Sequence, residues 1–228
     1  MAVIDLLIPP ACVACHQKLD DGKDMLCERC QSLIKPVEPG SCPKCGSILE
    51  DGACETCRQT RFDFELSRSV YHYEEPLPTM IHALKYRGHT KAAGFLATAM
   101  AAYINDNKEF KACDYITAVP LHPVRIRERG YNQSELIARK VSKLTGIRYI
   151  KATSRRRYTA SQTFLHRDQR LKNLRGAFKP MKNSALNGSS VILLDDVFTT
   201  GSTLNEISKS LHSAGVARVL GLTACRAG

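Results

Sequence analysis

No apolar run in this 228-residue sequence approaches the roughly 18 to 20 residues needed to span a membrane, so a membrane-crossing role is not expected. Residues 1–8 carry Asp5 and no basic stretch, so they lack the pattern of a secretory leader and the expected location is the cytoplasm. Residues 1–62 lack sustained apolar periodicity, which excludes a conventional core built from that stretch alone. Acids are scarce: 22 Asp and Glu against 33 Lys and Arg give a formal charge of +11. The imbalance is sharpest over residues 151–182, which hold ten Lys or Arg and one acid, Asp168. A field of that sign attracts nucleic acid or a polyphosphate. The remaining composition, 43% hydrophobic and 24% charged, is that of a globular chain long enough for one well-buried domain plus a small appendage.

Cysteine is plentiful but unevenly placed. Eight of the ten fall within the first 57 residues as four Cys-x-x-Cys pairs: Cys12/Cys15, Cys27/Cys30, Cys42/Cys45 and Cys54/Cys57. Each pair can form a thiolate knuckle, and two knuckles complete a tetrahedral Zn²⁺ site. Two structural zinc sites, each of four cysteines, are therefore expected, with the segment unfolding when metal is withdrawn. A redox dithiol or an iron–sulfur cluster are the alternatives, although redox pairs come singly on a βαβ scaffold. Sequential pairing closes the shortest loops and is the expected arrangement; a crossed one is the alternative. His16 stands next to Cys15, but each site is complete without it. Cys113 and Cys225 lie in apolar, strand-like surroundings and read as small buried hydrophobes. Eight thiolates and two Zn²⁺ would bring the net charge to about +7.

The rest of the chain alternates strand and helix patterns. A strand at 66–73 is followed by apolar residues at helical spacing (Leu77, Met80, Ile81, Leu84), and that helix runs into Lys85-Tyr86-Arg87-Gly88. Those cations and that glycine suit either a helix end or an anion. A second helix carries Phe95, Leu96, Ala99, Met100 and Tyr103. A strand at 115–119 leads through a loop, 120–133, into a helix marked by Leu136, Ile137, Val141 and Leu144. A short strand at 147–150 and a polar, aperiodic stretch at 155–163 follow, and a last strand is expected at 219–224. The most informative stretch is 191–203. Four apolar residues end in Asp195 and Asp196, and then Thr199-Thr200-Gly201-Ser202-Thr203 leads into a helical pattern at Leu204, Ile207 and Leu211. Thr203 and Glu206 read as a capping box. A hydroxyl-rich loop at a helix N-terminus suits a phosphate, and an acid pair beside it suits sugar hydroxyls or hydrated Mg²⁺. Both acids are expected to be exposed at the strand end.

Strand, acid pair and hydroxyl loop in this order resemble the phosphoribosyl-pyrophosphate (PRPP) motif of type I phosphoribosyltransferases. The resemblance implies an α/β fold with a mostly parallel sheet and helices on both faces over residues 63–228, preceded by a small double zinc ribbon at 1–62. It also implies that Thr199, Thr200, Gly201, Ser202 and Thr203 hold the 5′-phosphate while Asp195 and Asp196 hold the ribose hydroxyls. By position, Pro120, Leu121 and His122 with Arg125 and Arg129 fit the pyrophosphate loop, and 155–163 fits the mobile loop that closes over the reaction. Mg²⁺ would accompany PRPP if the chain is an enzyme. Thr199 stands where purine-salvage members carry a carboxylate base, so activity is left open. The zinc knuckles with Lys-Tyr-Arg-Gly at 85–88, Pro-Leu-His-Pro at 120–123, Arg-Gly-Tyr-Asn-Gln at 129–133 and Ser-Gln-Thr at 161–163 further resemble the ComF family of bacterial competence. That resemblance implies handling of incoming single-stranded DNA alongside a competence helicase and other DNA-processing proteins. Candidate nucleic-acid contacts are Arg155, Arg156, Arg157, Tyr158, Arg167 and Arg170, with Phe164 and Phe178 as further stacking platforms. An active phosphoribosyltransferase with an unknown acceptor base, and a zinc-ribbon adaptor docking competence proteins, are the alternatives.

Overall fold

The computed structural model describes residues 10–19, 25–38, 41–158 and 174–227. The amino-terminal segment holds two short helices, α1 (Glu28–Ser32) and α2 (Glu55–Gln59). After β1 (Leu66–His72) come α3 (Leu77–Tyr86), the long α4 (Lys91–Asp106), α5 (Lys108–Lys111) and β2 (Tyr115–Ala118). Helices α6 (Pro123–Arg129) and α7 (Gln133–Thr145) lead to β3 (Arg148–Tyr149), β4 (Thr153–Arg155) and β5 (Phe178–Pro180). The chain then forms β6 (Ser190–Phe198), α8 (Ser202–His212) and β7 (Arg218–Arg226). Among the described residues no helix is long and apolar enough to cross a membrane.

Five strands form one parallel sheet in the order β1-β7-β6-β2-β3. Parallel neighbours need crossovers, and the helices supplying them cover both faces, so the strands read as apolar runs rather than as alternating ones. Central β6 shows the consequence: Ile192 and Leu194 enter the core under α3, α4 and α7, while Val191 and Leu193 enter the core under α8. Helix α4 is lined by small residues, with Ala92, Ala93, Ala97 and Ala101 buried, which lets it lie close to its neighbours. This is the α/β architecture, a parallel sheet with helices on both faces, that was expected for residues 63–228.

The amino-terminal segment straddles the β1 edge of this sheet. Cys12, Val13, Leu19, Leu26, Cys27 and Cys30 belong to the α3/α4/α7 core, whereas Cys42 and Cys45 join Phe62 and Phe64 in the α8 core on the opposite face. Between the two, the chain runs antiparallel beside β1, with Val37 N–H donating to Val70 O at 2.9 Å and His72 N–H to Lys35 O at 3.0 Å. The segment lacks a core of its own length but shares both cores of the sheet, so metal is not its sole support.

Four local expectations are corrected. The stretch at 120–133 contains helix α6, which has no buried residue and so shows no apolar stripe; Pro123 opens it and Gly130, at φ +85°, ends it. Strand β6 does not stop at the acids but continues to Phe198, because β7 keeps pairing with it as far as Arg226. The opening of the polar stretch at 155–163 lies in an antiparallel β4–β5 pair, with Arg155 opposite Phe178. Helix α8 begins two residues earlier than a Thr203 cap requires, with left-handed Gly201 as its N-cap, and Glu206 pairs with Lys209 instead of reaching back.

The shared core makes a specific demand on Leu26, which is 1% exposed within the α3/α4/α7 cluster. Leu26→Ala should lower the stability of the main sheet domain by about 2 to 4 kcal/mol in urea unfolding. An unshifted main transition would show that the first cysteine centre is an independent appendage.

Candidate functional site

The phosphate-loop residues lie where β6 hands over to α8. Thr199 is exposed, Thr200 and Thr203 are half-buried, and Gly201 and Ser202 are buried. Thr200 Oγ1 lies 2.7 Å from Ser202 Oγ and accepts a long hydrogen bond from Ser202 N–H at 3.4 Å. Gly201 has no side chain with which to cap the helix, so apart from the long Ser202 N–H contact to Thr200 Oγ1 the first turn of α8 presents its N–H groups and positive dipole end without a side-chain cap.

The acid pair immediately upstream is not exposed as expected. Asp196 is 4% exposed, and its Oδ2 forms an ion pair with Lys85 Nζ at the last turn of α3. Its Oδ1 accepts from Val197 N–H at 3.1 Å. Asp195 is half-buried; its Oδ1 accepts from Ser134 Oγ at 2.8 Å and from Asp196 N–H at 2.9 Å. Burial and the neighbouring Asp196 push the Asp195 carboxyl up to about 7, against the opposing pull of Ser134 and Lys85. Burial alone would also raise Asp196, but the Lys85 ammonium outweighs it and holds that carboxyl below the ordinary range. The same attraction overcomes the burial of Lys85 and raises its value. Two adjacent carboxylates sharing one cation thus divide into one held ionised and one poised near neutrality.

An elbow at 129–134 holds these partners. Gly130 closes α6, the Tyr131 hydroxyl donates to Leu84 O beside Lys85, and Asn132 Nδ2 donates to Val119 O at 2.9 Å at the end of β2. Asn132 Oδ1 accepts from Ser134 N–H at 3.1 Å, capping α7 and presenting Ser134 to Asp195. The elbow therefore fixes the ends of α3, β2 and α7 around the acid pair. Lys85 and Ser134 were not singled out from sequence as partners of the acids. The available signal was that both lie in or beside the Lys-Tyr-Arg-Gly and Arg-Gly-Tyr-Asn-Gln stretches.

The pyrophosphate-loop candidates lie next to this elbow. Pro120 to His122 connect β2 to α6, and Arg125 and Arg129 project from α6. Arg125 pairs with Glu128 at 2.9 Å, and Arg129 lies over the Tyr86 ring at 5.0 Å while donating to Gln133. A cavity of about 180 Å³ opens among Lys85, Tyr86, Arg125, Glu128 and Arg129. The nucleic-acid candidates reach the same place. Tyr158 is 45% exposed, packs edge-on against His122 at 5.3 Å, and lies under Arg125 at 5.5 Å. His122 Nε2 is 3.2 Å from Arg156 O. Arg156 and Arg157 are exposed, but Arg155 is half-buried over the Phe178 ring at 5.5 Å and feels the charge of Asp195. Phe178 is itself only 6% exposed, so it is not a platform for stacking. Phe164, Arg167, Arg170 and the 161–163 motif lie outside the described residues.

The cysteines assemble sequentially. Cys12, Cys15, Cys27 and Cys30 form one group and Cys42, Cys45, Cys54 and Cys57 the other, with all ligand atoms of a group within 4.8 Å of one another. Sulfur separations of 3.5 Å (Cys15 to Cys27), 3.7 Å (Cys42 to Cys57) and 3.5 Å (Cys45 to Cys54) match the edge of about 3.8 Å for a tetrahedron of 2.3 Å Zn–S bonds. The donor set fits structural Zn²⁺ in both sites. His16 and Gly46 take the same left-handed place after the second cysteine of a knuckle, at φ 61° and 72°, so His16 serves its turn through the backbone. Mg²⁺ is a different matter. The only His/Cys/Asp/Glu groupings of metal-ligand geometry among the described residues are these two, and Asp196 Oδ2 is occupied by Lys85. The acid pair does not form a cage for a divalent ion.

Residues 3–61 match the double zinc ribbon domain family. The chain is 33% identical over 215 residues to competence protein F of Haemophilus influenzae, an alignment covering 91% of this chain and 93% of that one. It is 30% identical over 227 residues, 97% of this chain and 99% of the other, to the DNA utilization protein YhgH of Escherichia coli strain K12. Among solved structures, glutamine PRPP amidotransferase from B. subtilis aligns with 58% of this chain and 26% of its own, at 22% identity and a TM-score of 0.40.

Two outcomes test the site's electrostatics. Lys85→Met strands a buried carboxylate and should cost about 3 to 5 kcal/mol of stability, most of it recovered when Asp196→Asn is added; additive losses would deny the pair. Asp195 titrates near 7 in the folded chain and near 3.9 in the unfolded one, so the folded state binds the extra proton between those values and this group's contribution falls as pH rises through that window. Relative to wild type, Asp195→Asn should therefore gain about 3 kcal/mol between pH 5 and pH 8 in urea unfolding. A flat difference would place the Asp195 carboxyl in the ordinary range.

Proposed function

Because the chain belongs to the ComF family, with competence protein F and the DNA utilization proteins, we propose that it is a cytoplasmic ribose-phosphate-binding protein that handles single-stranded DNA during DNA uptake or use. The observation that carries the ligand reading is the continuity of acid pair, hydroxyl loop and open helix N-terminus over residues 195–203. A phosphate monoester at Thr199 to Thr203 accepts hydrogen bonds from the first turn of α8 and the threonine and serine hydroxyls. The ribose hydroxyls then fall to Asp195 and Asp196, whose remaining acceptor capacity is what a diol needs. PRPP suits the site best, since Arg125, Arg129 and Lys85 line a cavity on the α6 side where its pyrophosphate would find cations. The chain's own residues supply these charges, and the reading requires no protein-held Mg²⁺.

The DNA reading rests on the family and on the exposed Arg156, Arg157 and Tyr158, a cationic and aromatic combination suited to a single strand. Arg156 and Tyr158 touch His122, and Tyr158 also lies under Arg125, so the DNA path and the pyrophosphate side of the pocket would be adjacent. Adjacency of this kind makes the two ligands compete. Phosphoribosyl transfer is the second reading, favoured by the presence of both the acid pair and the complete loop. Pyrophosphate release from PRPP across a panel of bases distinguishes it from binding alone.

Wild-type protein should bind PRPP saturably by calorimetry and should bind single-stranded DNA with little sequence preference. Replacing Arg156 and Arg157 by Ala should reduce the slope of log affinity against log salt by about 1.4 if both touch phosphate, with stability unchanged because both are exposed. PRPP should displace the DNA. An unaltered slope removes these arginines from the DNA path, and absence of PRPP or ribose-5-phosphate binding removes the ligand reading while leaving the fold.

A further inference from the structure

Arg226, the last residue of β7, is charged yet only 6% exposed. A guanidinium in that position is costly unless it is paired and fully hydrogen-bonded. Among the described residues none of the ion pairs includes it. Its partners are in the second four-cysteine centre: Nη1 donates to Cys45 O at 2.9 Å and Nη2 donates to the Ser47 hydroxyl. Ser47 Oγ is in turn 3.1 Å from Cys45 Sγ and donates to Thr56 Oγ1 at 3.1 Å. A zinc ion held by Cys42, Cys45, Cys54 and Cys57 leaves that centre with a net double negative charge. The metal centre is thus the counter-charge of Arg226.

The other face of the guanidinium lies over the Phe198 ring, 4.3 Å from its centroid. Phe198 is 1% exposed, and with Phe62 it closes on the phosphate loop at Gly201. A Cβ on Gly201 would sit 2.7 Å from Phe198 Cζ and 2.9 Å from Phe62 Cε1, so the backbone of the loop rests directly on the two rings. Gly201 also has φ +72°, which an L side chain rarely adopts. Beside it, Asp63 N–H donates to Asn205 Oδ1 at 2.6 Å, tying the residues after the ribbon to the first turns of α8. The second cysteine centre, Arg226, Phe198 and Gly201 therefore form an unbroken stack from a metal centre to the backbone of the 199–203 loop.

We infer that Arg226 is a positioning residue that couples the second cysteine centre to the 199–203 loop, so that the loop is held in its phosphate-binding shape only while that centre carries its metal. The inference rests on the ribose-phosphate reading for its ligand, but the coupling itself is a property of the loop's backbone. It gives the second zinc site a task that the first, on the opposite face of the sheet, does not share.

The test compares wild type, Arg226→Met and Arg226→Lys, each first shown by metal analysis to hold its zinc. Two quantities are read: ribose-5-phosphate affinity by calorimetry, and amide hydrogen exchange at residues 199–203 against exchange in β2 and β6 as the control for folding. Arg226→Met should weaken ribose-5-phosphate at least tenfold and speed exchange in the loop while the strands stay protected. Arg226→Lys, which keeps the charge and a donor, should recover part of both. Emptying the second site alone with Cys57→Ser should speed loop exchange in the same way, and adding Arg226→Met to it should change nothing further. Unchanged loop exchange in zinc-loaded Arg226→Met overturns the inference, as does a full further loss on the Cys57→Ser background. If Cys57→Ser fails to fold, the zinc-loaded Arg226→Met comparison decides alone. If wild type does not bind ribose-5-phosphate, the ligand reading fails and the exchange comparison still decides the coupling.

Discussion

Two adjacent carboxylates held inside the protein set the arrangement of the sheet's carboxyl edge. Asp195 and Asp196 sit on the central strand, where desolvation penalises charge, and each is supported from a different element. Lys85 comes from the end of α3, Ser134 from the start of α7, and backbone N–H groups from the strand itself. None of these is free to move alone. Tyr131 ties the end of α3 to the elbow, and Asn132 ties the elbow to β2 while capping α7. The acid pair therefore dictates where three elements must meet, and the 199–203 loop follows from the same strand three residues after Asp196.

The ribbon answers a second constraint. A segment too short and too polar to enclose a core must borrow one or rely on metal, and this one does both. Its first cysteine centre adds Val13, Leu19 and Leu26 to one face of the sheet, its second centre adds Cys42 and Cys45 to the other, and residues 35–37 run along β1 between them. An exposed parallel edge would otherwise offer unpaired N–H and C=O groups to any passing strand. Covering β1 in this way also brings the second cysteine centre to Arg226, on the strand next to β1.

Much of this was legible in the chain itself, for identifiable reasons. Apolar periodicity marks an element by what it buries, so β1, β2, β6, β7, α3, α4, α7 and α8 were all visible. Cys-x-x-Cys spacing marks knuckles because ligands must be near neighbours, and short loop closure correctly favoured sequential pairing. Helix α6 was missed because it buries nothing, and the β4–β5 pair because its strands are only three residues each. The burial of Asp196 was missed for a different reason. A charge can be buried only where another element delivers a counter-charge, and Lys85 is 111 residues away in sequence. Charge runs are similarly blind to position: Arg155, Arg156 and Arg157 are consecutive, yet the first lies half-buried over Phe178 and the other two face solvent.

The unequal treatment of the two acids has a consequence for what the pocket can recognise. One ammonium cannot neutralise two carboxylates, and in a buried setting the unbalanced charge is relieved by a proton, which is why the Asp195 carboxyl rises to about 7 while Asp196 stays ionised. Near neutral pH the pocket alternates between a nearly balanced state and one carrying a single excess negative charge. Protonated Asp195 can donate a hydrogen bond as well as accept; ionised Asp195 only accepts. A hydroxyl can meet either form, because it is donor and acceptor at once, whereas a second carboxylate or phosphate at that position meets repulsion in one of them. The cations and the helix dipole lie to either side, at Arg125 and Arg129 and at the start of α8. On the reading proposed above, this arrangement suits a ligand that is hydroxylated in the middle and anionic at its ends, as a ribose carrying phosphate groups at both ends is.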